Sequence, residues 1–112
     1  MKAPRLNRAL ALEEPVSVAD GSGGYTQSWT VLGHLWAEVS FRSGRETEAG
    51  GGARSLASYR ITVRGAPTGS TMRPRPDQRF REGDRVYRIL SVGEKDPEGR
   101  FLTCIAQEEA AA

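Results

Sequence analysis

The stretch that decides the fold is Leu35-Trp36-Ala37-Glu38-Val39-Ser40-Phe41. Leu, Ala, Val and Phe occupy every second position, and Trp, Glu and Ser occupy the positions between them. Because side chains of a β-strand point alternately to its two faces, this order predicts a strand with one buried face. The same alternation returns in Tyr59-Arg60-Ile61-Thr62-Val63-Arg64. Both stretches predict strands that pack one face on a common core.

Turns and short apolar runs recur on both sides of these two strands. The dense turn at 20–24 precedes a run from Tyr25, in which Gly33 predicts either two strands, about 25–32 and 34–42, or one bent strand. Residues 6–14 fit a short strand or a helical turn that Pro15 ends. Further short strands are predicted at 78–81, 85–92 and 100–107. The sequence therefore predicts an all-β fold, a small antiparallel β-barrel or sandwich of about five to six strands.

The composition bounds the class of protein. With 112 residues, the chain predicts a single domain over 1–112, and its 13 glycines and 6 prolines favour short elements joined by turns. One cysteine and one histidine exclude an intrachain disulfide and a Cys/His metal cluster, so no metal or other cofactor is expected. No apolar run has the length of a signal peptide or a membrane span, which predicts a soluble cytosolic product with no membrane partner.

Catalysis is disfavoured, and the chain is not expected to be an enzyme. His34 has no Asp, Ser or Cys beside it in sequence, and Cys104 sits in an apolar strand, where a free cysteine usually behaves as a small buried hydrophobe. The glycines at 21–24 lack the Lys-Ser/Thr and the helix that a phosphate-binding loop needs. A tight turn, which needs the conformational freedom of glycine, explains these glycines with fewer assumptions.

The middle of the chain is basic. Residues 42–88 carry a net charge of +6 between flanks of −1 and −3, and 14 of the 16 basic residues are arginine. A solvated polar face explains any single arginine, but together they predict contact with phosphate or with acidic surfaces of neighbouring subunits. The candidates for subunit pairing or for facing DNA are Arg60, Arg64, Arg79, Arg81, Arg85 and Arg88.

One long loop and a frayed end are also predicted. Residues 43–55 contain no apolar side chain larger than Ala and three consecutive glycines at 50–52. Such a stretch cannot bury enough surface to offset the entropy of ordering it, which predicts a long, flexible loop at about 42–56. The closing residues 108–112 are predicted to fray.

Several short motifs together resemble a known family. Gly23 to Trp29, the Trp-Ala-Glu-Val piece at 36–39 and Ser43-Gly44-Arg45-Glu46 occur in the order seen in head–tail adaptor (head-closure, or stopper) proteins of long-tailed phages and related gene transfer agents. The later pieces that agree are 59–64, 72–74, 83–89 and the hairpin at 96–100. The resemblance covers about residues 5–109. The chain departs from the family pattern in its first strand and in the triple glycine.

The resemblance implies a structural role. Such proteins form a ring, a hexamer by resemblance, between the portal or adaptor ring and the tail terminator. They close the DNA exit channel after packaging and present a surface on which the tail docks. The implied location is the head–tail junction of a virion or phage-like particle, assembled from protein made in the bacterial cytoplasm. The packaged double-stranded DNA is a non-specific partner within the channel.

The family loop projects into the channel, which makes 42–56 the candidate gating loop. Its candidate residues are Arg42, Ser43, Gly44, Arg45, Glu46, Glu48, Gly50, Gly51, Gly52 and Arg54. The resemblance thus favours head closure, with two alternatives left open. One is a tail-terminator or tail-completion ring protein, and the other is a small β-barrel module that binds nucleic acid through its arginines.

Overall fold

Six antiparallel strands form one sheet that closes on itself. The computed structural model describes residues 3–49 and 52–111, and these contain no helix. The strands are β1 (Arg8–Ala19), β2 (Tyr25–Ala49), β3 (Gly52–Arg64), β4 (Arg79–Glu82), β5 (Arg85–Glu94) and β6 (Phe101–Ala111). They neighbour one another in the order β1-β2-β3-β6-β5-β4, and β4 pairs back onto β1 to close the barrel. The predicted all-β antiparallel fold is confirmed.

The alternation seen in the sequence builds the core. Every strand contributes inward side chains, and the fully buried apolar ones are Leu10, Leu12, Ala37, Ile61, Val63, Phe80, Tyr87, Ile89, Leu102, Cys104 and Ala106. Leu35 and Val39 pack against this cluster. Phe41, which continues the same face of β2, is 62% exposed because it lies at the end of the barrel.

Strand β2 is one bent strand of 25 residues, which settles the alternative left open at Gly33. The register shifts between Leu12 and Glu13 of β1, which pair with Gly33 and Val31, so that one extra residue of β2 bulges there. Met72 lies against Gly33 so closely that an added Cβ would stand 2.7 Å from its Sδ. The glycine therefore permits a close approach at the bend.

The prediction that Pro15 ends the first element was wrong. Strand β1 continues to Ala19, and Pro15 pairs with Trp29 of β2. Proline lacks an N–H, so it is tolerated only where one side of a strand needs no hydrogen bond. That condition holds here because β4 pairs with β1 only at residues 11–13, which leaves this part of β1 an edge.

The predicted flexible loop is instead a paired β-hairpin. Residues 43–49 of β2 lie opposite 52–58 of β3, after a register shift between Phe41 and Ser43. The ladder forms although Leu56 is its one large apolar residue, because both strands continue out of the barrel and β6 adds a third strand beside β3. We call residues 42–49 and 52–56 the arm. Gly50 and Gly51 lie outside the described residues.

The predicted frayed end at 108–112 was also wrong for the part that the structure describes. Residues 108–111 belong to β6 and pair with 54–57 of β3. Backbone hydrogen bonding to an already extended neighbour orders this polar, alanine-rich segment, which has no apolar stripe of its own.

Two projections leave opposite ends of the barrel. The arm leaves the end at which β2 passes Phe41, and a two-stranded ribbon of residues 15–19 and 25–30 leaves the other end. Residues 16–19 and 25–28 of the ribbon are all exposed. The molecule is accordingly elongated, measuring 51 × 33 × 22 Å.

Candidate interaction surfaces

The four candidate arginines on β4 and β5 have carboxylate partners within the chain. The ion pairs are Arg79–Glu13 (2.6 Å), Arg81–Glu13 (2.8 Å), Arg85–Glu108 (2.9 Å) and Arg88–Asp77 (3.3 Å). Closure of the barrel brings β4 beside β1, which supplies Glu13, and the β5–β6 pairing brings Arg85 beside Glu108, so β1 and β6 supply two of the three acidic partners. Contact with DNA or with another subunit stays a prediction for these arginines, whose charge is met in part by the chain itself.

Glu13 is the least exposed carboxylate of this network, with 4% of its side chain accessible. One oxygen accepts the Nε–H of Arg79 and the other accepts the Nε–H of Arg81. Burial raises the pKa of Glu13, but the hydrogen bonds and positive charges of Arg81 and Arg79 outweigh burial and hold the pKa below its usual value. The Arg79 guanidinium also lies 4.0 Å over the ring of Trp29. This cluster ties β4 to the β1–β2 ribbon.

An aromatic cluster lies at the base of the arm. The ring of Tyr59 meets those of Phe41 and Tyr87 edge to face, with centroids 5.7 and 5.2 Å away. Arg85 lies 5.1 Å from the Tyr87 ring centroid and donates to Glu108 and to the Tyr59 hydroxyl. The hydrogen bond with Glu108 raises the pKa of Arg85, and the same bond lowers the pKa of Glu108. These contacts brace β6 and β5 beneath the arm.

Arg60 and Arg64 differ from the other candidates. Both side chains are exposed, and neither has a carboxylate partner in the described part of the chain. Ile61 and Val63, which alternate with them, are fully buried, so the two arginines point away from the core. Among the six candidates, only these two have no carboxylate partner within residues 3–49 and 52–111.

The arm brings most of the candidate gating residues onto one hairpin. Arg42 donates to Ser58 Oγ at 3.2 Å, and Arg45 is exposed with no carboxylate partner among the described residues. The other described candidates are Ser43, Gly44 and Glu46, which are exposed, and Glu48, Gly52 and Arg54, which the register places in the outer part of the hairpin. The remaining two candidates, Gly50 and Gly51, fall outside the described residues.

The single cysteine and histidine do not meet. Cys104 is buried in the core, where desolvation raises the pKa of its thiol to about 12, while His34 is exposed on β2. Residues 3–49 and 52–111 hold no group of His, Cys, Asp or Glu side chains that could bind a metal ion. No helix of the described chain is long and apolar enough to span a membrane.

The sequence pattern does not predict the ribbon or the contacts of Glu13. The ribbon carries the exposed apolar side chains of Val16, Val18 and Tyr25. Val16 and Val18 continue a two-residue alternation beyond Pro15, but the proline predicted the end of the strand. Nothing local marks Glu13, because its arginine partners are 66 and 68 residues away.

Comparisons with known proteins agree with one another. The family model described as phage head completion protein matches residues 1–109. Among solved structures, a chain of the virion of a native gene transfer agent (GTA) particle is similar, with a TM-score of 0.88 and 51% sequence identity. The match covers 98% of this chain and 100% of that chain. A search of curated proteins found no match.

Proposed function

Since the chain belongs to the phage head completion protein family, we propose that it completes the head of a phage-like particle as a ring component at the head–tail junction. Its role is structural, as the family is not an enzyme class. In this proposal several copies, six by the resemblance, lie between the portal or adaptor ring and the tail terminator, and their outer end receives the tail. The similar chain of the GTA virion supports the location, since the likeness extends over both whole chains.

The arm is the observation that carries the proposed gate. It projects from one end of the barrel as a continuation of β2 and β3, and a register shift between Phe41 and Ser43 lies at its base. A ring of copies would bring such arms toward a common axis. We infer that the converged arms narrow the channel through which DNA leaves.

The charge of the arm suits a gate better than a clamp. Arg42 and Arg45 can face phosphates, while Glu46 on the same hairpin repels them. Binding to DNA strengthens with every phosphate that is neutralised, so an arm with cations alone would retain the DNA that must later leave. A mixed-sign arm blocks the channel by its bulk and releases DNA when the arms separate.

Shortening the arm tests the gate. Glu46 and Ser55 lie opposite each other in the register, so residues 47–54 can be replaced by an Asn-Gly turn without disturbing the pairs below. We expect the variant to fold, to assemble into particles and to lose DNA, with nuclease-resistant DNA per particle falling at least about tenfold. The measurement is quantitative PCR on nuclease-treated particles, counted by electron microscopy.

The control is Arg75→Gln, which removes an exposed charge outside the arm and leaves the arm intact. These particles should retain DNA as the wild type does. Wild-type retention in arm-shortened particles would contradict the gate, whereas absence of the protein from the particles would contradict the location as well.

A further inference from the structure

An exposed cationic surface lies on the outer face of β2 and β3. Arg60 and Arg64 point outward from β3, and the buried Thr62 between them pairs with Glu38 of β2. Glu38 forms no ion pair with either arginine, and its Oε2 accepts the backbone N–H of Arg5 at 2.9 Å. The two guanidinium groups therefore have no carboxylate partner among the described residues, unlike the arginines of β4 and β5.

A shallow notch with Leu6 and Trp36 in its wall adjoins the cationic surface. Trp36 precedes the buried Ala37 on β2, so its side chain faces outward, and it is 62% exposed. Leu6, Trp36 and Arg64 line a surface pocket of about 260 Å³. Exposed Trp and Arg side chains that share a pocket are the residue types that most often dominate binding energy in protein interfaces.

We propose that this surface, formed by Trp36, Arg60 and Arg64, docks an extended acidic segment of a partner protein. The site goes beyond the gating role, since it lies on the barrel wall and not on the arm. Arg60 and Arg64 are four residues apart on one strand, about 13 Å, and carboxylates four residues apart on an extended peptide have the same separation. An apolar side chain next to the second carboxylate fills the notch at Trp36.

The chemistry of this surface favours a polypeptide over DNA. Two uncompensated guanidinium groups neutralise few phosphates, and specific or tight binding to a duplex commonly uses more. Trp36 offers an apolar ring that an intact duplex backbone does not use, whereas an apolar side chain of a peptide does. Each arginine can bind a carboxylate with two hydrogen bonds, which gives the docking both register and specificity.

A labelled peptide tests the docking site on the purified full-length protein. The probe is fluorescein-labelled Ser-Glu-Thr-Val-Thr-Glu-Thr-Leu-Ser, in which two Glu residues and Leu share one face of an extended strand. We expect saturable binding by fluorescence anisotropy with a Kd of about 1 mM or tighter. The variant Arg60→Gln/Arg64→Gln should weaken binding at least about tenfold and Trp36→Ala about fivefold, because each removes a direct contact.

The matched control is Arg75→Gln/Arg100→Gln, which removes two other exposed arginines whose carboxylate partners lie in the chain. Its affinity should stay within about twofold of the wild type. If the control loses as much peptide affinity as Arg60→Gln/Arg64→Gln, the loss reflects the net charge of the protein and not this surface, which would overturn the proposal. So would absence of saturable peptide binding.

Two further probes distinguish other occupants. A 20-base-pair duplex that binds more tightly than the peptide and depends on Arg60 and Arg64 would make this a DNA surface. Self-association in sedimentation that disappears in Arg60→Gln/Arg64→Gln would make it a subunit contact. Either result would overturn docking of a partner's acidic segment. These assays need no particle, so their outcome is separate from that of the gate.

Discussion

Replacing Glu13 by Gln should destabilise the barrel far more than the same change at Glu14. Glu13 is almost inaccessible and accepts charge-assisted hydrogen bonds of 2.6 and 2.8 Å from Arg79 and Arg81. Such bonds contribute about 1.5–3 kcal/mol each when buried, but the arginine side chains are 22% and 39% exposed and regain water when the carboxylate is lost. We therefore expect a net loss of about 2 kcal/mol, which lowers the Tm by about 8 °C.

Glu14→Gln is the matched control because it removes the same charge from the neighbouring residue. The Glu14–Arg75 pair is largely exposed, with side-chain accessibilities of 36% and 65%, so its loss should cost less than about 0.5 kcal/mol. Urea unfolding followed by tryptophan fluorescence measures both variants. Equal destabilisation by the two changes would refute the argument that burial of Glu13 makes its ion pairs important.

The pH dependence provides a second measurement on the same pair of proteins. The pKa of Glu13 is lowered in the folded state, so its contribution is fully present above the unfolded pKa of about 4.3 and disappears as the pH falls through the folded pKa. The difference in unfolding free energy between wild type and Glu13→Gln should be constant from pH 7 to about 5. It should then shrink on further acidification, and a difference that grows toward acid would contradict the lowered pKa.

Two other predictions concern a glycine contact and the buried thiol. Gly65→Ala should cost about 2 kcal/mol or more, measured by urea unfolding, because its Cβ would overlap the Gly99 carbonyl oxygen. The control Gly93→Ala should be nearly neutral, since an added Cβ meets nothing within 4 Å, and equal costs would contradict the steric argument. Cys104, whose thiol pKa is raised to about 12, should react with a chromogenic disulfide at pH 8 only as fast as the protein unfolds, so rapid labelling of native protein would refute its burial. Labelling in 8 M urea controls for intrinsic reactivity.

Alternation and spacing predicted the barrel strands well, because the information they carry is local. The inward positions of 35–39 and 59–63 follow from a period of two, and the 96–99 turn follows from its Pro and Gly. Local patterns gave wrong predictions at segments whose structure depends on pairing with a strand distant in sequence. Pro15 lies inside a strand because its free side needs no N–H, and polar residues of the arm are paired because their neighbours are already extended.

The candidate arginines were predicted from residue type alone. Their contacts in the structure then separate the arginines that form ion pairs within the chain from those that do not. Six arginines looked alike in sequence, since nothing local shows which of them meets a carboxylate. Barrel closure gives Arg79 and Arg81 their acidic partner from β1, which is far away in sequence, and the β5–β6 pairing gives Arg85 its partner Glu108. Arg60 and Arg64 are exposed and have no carboxylate partner among the described residues. A basic segment with a net charge of +6 therefore presents fewer free cations than its composition suggests.

The sequence by itself determined the class of fold, the inward face of its main strands, the family and the absence of a Cys/His metal cluster. Each of these depends on residues that are close together in the chain or on their number. Only the tertiary structure decided that residues 42–49 and 52–56 form a hairpin arm, that β1 extends past Pro15 into a ribbon and that Glu13 joins two arginines. These features depend on hydrogen bonds and charge contacts between strands distant in sequence, and such contacts form only once the barrel brings those strands together.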